Sequence, residues 1–113
     1  MKLFRSFTYA IHGFLAAFKE QLNLRIHVLA AVVVVGLGFY FRITTTDWVL
    51  ILILIGLVLA AELFNTALEN LTDLVTKEYH PLAGKAKDMA ASAVLVLSVV
   101  SAIVGFIIFA KYV

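Results

Sequence analysis

The stretch Trp48-Val-Leu-Ile-Leu-Ile-Leu-Ile-Gly-Leu-Val-Leu-Ala-Ala61 contains no charged residue, and it gives way at once to Glu62-Leu-Phe-Asn-Thr-Ala-Leu-Glu69-Asn-Leu-Thr-Asp73. At about 100° per residue, Glu62, Asn65, Thr66, Glu69 and Asp73 fall on one side of a single helix, within a stripe of roughly 100°. A helix leaving an apolar layer with carboxylates along one face marks a functional site, because ionised groups at the edge of hydrocarbon are costly unless paired, hydrated or bound to metal.

Working outward, two more apolar stretches flank this one: Val28 to Phe41, and Met89 to Ala110, the latter interrupted only by Ser92, Ser98 and Ser101. With 113 residues, 64% of them hydrophobic, and a mean hydropathy of +1.07, the chain is too apolar for a soluble domain, which has roughly equal apolar and polar shares. The expected fold is an all-α membrane protein of three transmembrane helices, over about residues 24–42, 48–69 and 89–110. A span needs about 20 residues, so the first two borrow from flanks such as Leu22 to His27 and Glu62 to Leu68, with Arg25 able to snorkel. The second helix should run on to about Val75, longer than the hydrocarbon is thick, with its last turns in the interface. No internal repeat or linker divides the chain, so residues 1–113 read as a single domain. Zero cysteines exclude disulfides and thiolate metal sites.

Before the spans, Leu3 to Glu20 places Phe4, Phe7, Ile11, Phe14, Leu15 and Phe18 at helical spacing opposite Arg5, Ser6, His12 and Lys19. This predicts an amphipathic surface helix over about residues 3–20, lying in the headgroup region or packed on the other helices. Because this segment is amphipathic, no cleavable signal is expected. Gly36 and Gly38 in the first span allow close helix approach. Thr44 to Asp47 reads as a turn, with Asp47 or Thr46 as helix N-cap and Trp48 as interfacial anchor. His12 and His27 read as lone interfacial histidines, and the serines of the last span as bonded to their own backbone or packed between helices.

The net charge of +2 says less than the distribution of basic residues. Lys2, Arg5, Lys19 and Arg25 precede the first span and Lys77, Lys85 and Lys87 lie between the second and third, whereas Arg42 and Lys111 stand alone elsewhere. The positive-inside tendency then places the N-terminus and the segment 76–88 in the cytoplasm and the C-terminus outside.

Glu62 and Glu69 stand two turns apart, about 10 Å along the axis, too far to share one metal ion directly. Two jobs follow: the deeper glutamate, among apolar groups, suits proton abstraction, and the shallower suits a hard cation such as Mg²⁺. Thr76 to Lys87 reads as the one substantial loop, with His80 extended ahead of Pro81. Lys87 is a candidate phosphate contact and Asp88 a candidate acceptor for a ribose hydroxyl, together suggesting a nucleotide; basic anchoring plus helix capping by Asp88 is the alternative.

The segment Glu62-Leu-Phe-Asn-Thr-Ala-Leu-Glu69-Asn-Leu-Thr-Asp73, followed by Glu78-Tyr-His-Pro-Leu-Ala-Gly-Lys-Ala-Lys-Asp88, resembles the signature of the prokaryotic diacylglycerol kinase family, which includes undecaprenol kinases. The resemblance extends over the whole chain and implies a homotrimeric lipid kinase with active sites at subunit boundaries. It implies Glu62 as general base with Asn65 supporting the site, and Glu69 as a ligand of Mg²⁺. Glu78, Tyr79, His80, Lys87, Asp88 and Tyr9 match positions that contact the co-substrate ATP. The family's second metal-binding glutamate, four residues before an arginine, falls on Gln21 when counted from Arg25, with Glu20 adjacent. Either Gln21 offers a neutral carbonyl, or Glu20 is presented instead, or activity is reduced. Pro81 resembles the undecaprenol kinase branch. The expected partners are ATP, a membrane lipid alcohol, the bilayer and further copies of the chain, with no nucleic acid. A small transport protein would account for Glu62 but not for Asp73, Lys87 and Asp88 outside the bilayer.

Overall fold

The computed structural model describes residues 1–113 as four helices without strands: α1 (Lys2–Glu20), α2 (Leu22–Phe41), α3 (Thr45–Val75) and α4 (Pro81–Ala110). The last three are long and apolar enough to cross a membrane, which makes the chain a multi-pass membrane protein with an additional amphipathic helix.

The break between α1 and α2 is one residue wide. Gln21 is extended (φ −114°, ψ 114°), and the freed carbonyls at the end of α1 are taken by Arg25, whose Nη1 donates to Phe18 O at 2.8 Å and Lys19 O at 3.0 Å. Arg25 therefore reaches back to cap α1, satisfying groups that a helix end otherwise leaves unpaired. Glu20 ends α1 and Gln21 stands outside it, so the two residues do not share a continuous helix. On α1, Phe14 and Phe18 stack at 6.4 Å and Ala17 is buried, while Phe4, Phe7 and Ile11 are exposed. Part of its apolar face thus packs on the other helices, and part is left uncovered.

α2 ends with Arg42 in the left-handed region (φ 52°), its N–H and that of Ile43 bonding to carbonyls at Gly38 and Phe39. The turn brings Trp48 against Gly38, where an added Cβ would stand 2.6 Å from the indole. Gly36 has no such neighbour, so close approach accounts for Gly38 alone. The N-cap of α3 is Thr44, whose hydroxyl accepts from Asp47 N at 3.2 Å, rather than Thr46 or Asp47. Asp47 instead is buried, held by Lys111 Nζ at 3.0 and 3.1 Å and by the Tyr112 hydroxyl at 2.6 Å. This ties the start of α3 to the end of α4, so the segment from Thr44 to Asp47 is more than a turn. Ile43, Ile51 and Ile108 form the small apolar core beside it.

At the opposite end the connection is shorter than the hydropathy suggests. α4 starts at Pro81, eight residues before the apolar run, so the loop is only Thr76 to His80, and Lys85, Lys87 and Asp88 are helical. Proline at the first helical position loses no hydrogen bond, and His80, extended as a pre-proline residue should be, caps the helix by accepting from Leu82 N at Nδ1, 3.1 Å. The cap is His80 and not Asp88. Ser92 bonds to the Asp88 carbonyl as expected, whereas the hydroxyls of Ser98 and Ser101 are buried without partners.

Candidate active site

α3 is the element that builds the site. After a polar first turn it is apolar from Trp48 to Ala61, and its last turns carry the polar row, which loses cover with distance along the axis. Glu62, Asn65 and Thr66 are buried, Glu69 is half-buried and Asp73 is exposed. The Thr66 hydroxyl donates to the Glu62 carbonyl at 2.9 Å, which settles one polar group of the row within the helix itself.

Glu62 is 2% exposed, and its single side-chain partner is His27 of α2, with Nε2 at 3.2 Å from Oε1. His27 is therefore not a lone interfacial residue. A depth argument could have found it: a buried glutamate needs a partner, and His27 is a polar residue a few positions inside the neighbouring span. The register between α2 and α3, which decides whether the two meet, is not written in either helix.

Two turns on, Glu69 is clasped from both sides. Asn65 Nδ2 donates to Oε1 at 3.2 Å, and Gln21 Nε2 donates to Oε2 at 3.4 Å from the α1–α2 break. Glu20 faces elsewhere, its Oε2 accepting from Asn70 Nδ2 at 3.2 Å. Of the two residues that could complete the Glu69 position, Gln21 is thus the one the fold brings there. Asn65 Oδ1 is buried and without a hydrogen-bond donor. No three His, Cys, Asp or Glu side chains converge anywhere in the chain. The set around Glu69 is one carboxylate and two amides that turn their N–H groups to it, and the amide oxygens, the unpartnered Asn65 Oδ1 among them, are further hard donors. Such a set fits a cation that takes one or two carboxylates and completes its shell with water and phosphate oxygens.

Lys87 of α4 pairs with Asp73, so the foot of the row carries a cation that the upper part lacks. The remaining candidates surround this end without joining the cluster. Tyr9 on α1, Glu78 and Tyr79 in the loop, and Asp88 on α4 are exposed and make no side-chain hydrogen bond to Glu62 or Glu69, while His80 is engaged as the α4 cap. The fold brings together Glu62, Asn65, Glu69 and Gln21, adds His27, and leaves the other candidates exposed and outside the cluster.

A sequence model of the family described as prokaryotic diacylglycerol kinase matches residues 8–109. The chain is 41% identical over 108 residues to the undecaprenol kinase of Bacillus subtilis, covering 96% of this chain and 88% of that protein. It is also 41% identical over 101 residues to a diacylglycerol kinase of Synechocystis, covering 88% of this chain and 58% of that longer protein. Against the diacylglycerol kinase of Escherichia coli K12 it is 29% identical over 102 residues, covering 90% and 84%.

Proposed function

The chain belongs to the prokaryotic diacylglycerol kinase family, a family of lipid kinases, and from that premise we propose that it transfers the γ-phosphoryl group of ATP to the hydroxyl of a membrane lipid alcohol, undecaprenol or diacylglycerol. The observation that carries this reading is the pairing, on one face of α3, of a buried carboxylate at Glu62 with an amide-clasped carboxylate at Glu69. The first meets the needs of a base working on a hydroxyl that arrives from the lipid; the second meets the needs of a cation site beside phosphates.

In the reaction, a Glu62 carboxylate oxygen takes the proton of the lipid hydroxyl as the hydroxyl oxygen bonds to the γ-phosphorus and the bond between that phosphorus and the ADP oxygen breaks. The proton leaves Glu62 for water after the lipid phosphate departs. Asn65 supports this by holding Glu69 in place. Glu69, with Asn65 and Gln21 beside it, would hold a Mg²⁺ ion, which when bound would supply positive charge to offset that of the phosphates. Lys87 exchanges or shares its Asp73 contact with a phosphate, and Tyr9, Glu78, Tyr79, His80 and Asp88 contact the rest of the nucleotide.

The chain acts as one domain and as a homotrimer, with the N-terminus, the loop 76–80 and the polar end of α3 in the cytoplasm and the C-terminus outside. The contacts support a common end for these groups, since Gln21 meets Glu69 and Lys87 meets Asp73, while Lys111 meets Asp47 at the other. The similarity to an undecaprenol kinase and the Pro81 motif favour a polyprenol acceptor. The test is incubation of the purified protein in detergent with γ-labelled ATP, Mg²⁺ and either undecaprenol or diacylglycerol. Label in a lipid phosphate is expected; no transfer to either alcohol would overturn the reading.

A further inference from the structure

His27 is the only side chain that holds Glu62, and its surroundings leave it little else to do. Nε2 stands 3.2 Å from Glu62 Oε1. The imidazole otherwise lines an apolar cavity between α2, α3 and α4, with Ala31, Val34, Leu54 and Val58 among its neighbours. No other hydrogen bond engages either ring nitrogen, and the nearby cation Arg25 is turned away to the carbonyls of Phe18 and Lys19.

We propose that His27 is a positioning residue for the phosphoryl transfer: by donating from Nε2 to Glu62 Oε1 it fixes the carboxylate so that Oε2 is presented to the hydroxyl of the lipid alcohol. This rests on Glu62 being the base. The physical ground is the geometry of a carboxylate with no other anchor. Glu62 has three side-chain torsions, and a proton acceptor must sit within hydrogen-bond reach of the hydroxyl as the new bond forms. Occupying one oxygen with a fixed donor selects the torsions and leaves the second oxygen's lone pairs free. Tethering His27 to α2 also makes the aim of the base depend on the α2–α3 register, which Gly38 and Trp48 set at the far end. His27 itself forms and breaks no bond in the reaction.

The experiment compares His27→Gln, His27→Phe, Glu62→Gln and the double variant His27→Phe/Glu62→Gln, each with ATP, Mg²⁺ and undecaprenol or diacylglycerol in mixed micelles. Glutamine keeps an N–H donor at similar reach and phenylalanine keeps the ring without one. His27→Phe should lower kcat by about 10- to 100-fold with KM for ATP and lipid nearly unchanged, the loss a displaced reacting group produces. His27→Gln should retain most of the wild-type kcat. In the Glu62→Gln background the His27 change should cost nothing further, because residues acting through one another are not additive. Should His27→Phe fail to fold, the near-normal kcat expected of His27→Gln still stands to be contradicted. Loss in Glu62→Gln with unchanged turnover in His27→Phe, or equal losses in His27→Gln and His27→Phe, overturns this inference alone. Full activity in Glu62→Gln overturns the base assignment and this inference with it.

Discussion

Gln21 stands where the resemblance to the family implied an acidic residue, and the fold shows what the amide does there. An amide at that position, extended between two helices, reaches Glu69 and leaves the local charge at one carboxylate. Restoring the second carboxylate should raise the pull on a hard cation, since affinity rises with ligand charge. Gln21→Glu is therefore expected to lower the Mg²⁺ concentration giving half-maximal lipid phosphate formation, whereas Glu20→Gln should leave it unchanged because Glu20 faces Asn70. Titrating Mg²⁺ against initial rate checks both; a shift in Glu20→Gln alone would place the cation on the other side of the α1–α2 break. Most of this site was legible at the level of single residues, because a row of carboxylates leaving a charge-free run is conspicuous. Its partners were not, since His27 and Gln21 meet α3 only through the packing of separate helices.

At the scale of elements, hydropathy located three spans and the second helix runs to Val75 as expected, but the start of the last helix was placed too late. α4 begins at Pro81 because proline and the His80 cap start a helix regardless of what the following side chains contribute to the bilayer. Its first turns are polar and basic, so a reading keyed to apolar runs assigns them to a loop. The α2–α3 turn offers a direct test of packing. A methyl at residue 38 collides with the Trp48 ring, and overpacking of this kind costs about 1–3 kcal/mol. Gly38→Ala should accordingly lower the unfolding temperature in detergent, while Gly36→Ala, with open space around it, should leave it unchanged or raise it. A stabilised Gly38→Ala variant would refute the close approach. Lys111→Met should also lower the unfolding temperature by leaving the buried Asp47 carboxylate with Tyr112 alone; an unchanged value would mean that the Lys111 contact is dispensable.

For the whole molecule the decisive fact is how little a single copy buries. Only 11 of 113 residues are buried, and large apolar side chains such as Phe64, Leu74 and Phe106 lie exposed. In the bilayer hydrocarbon covers such residues without cost, but Phe64 and Leu74 stand beside the polar row. A neighbouring copy closing over this end would exclude water from it and bring nucleotide-contacting groups that one chain leaves scattered. Native mass spectrometry from detergent is expected to give three copies, and an active species of one copy would contradict the shared site. That question sits beyond single-chain reasoning, because the sequence patterns which reveal helices say nothing of how apolar faces divide between lipid and partner. The central claim, that this is a lipid kinase whose base is Glu62, is most directly tested by measuring lipid phosphate formation and ATP binding side by side in wild type and Glu62→Gln. A loss of about 10²- to 10⁴-fold in rate with ATP affinity preserved is expected; a near-wild-type rate in Glu62→Gln would contradict that role for Glu62.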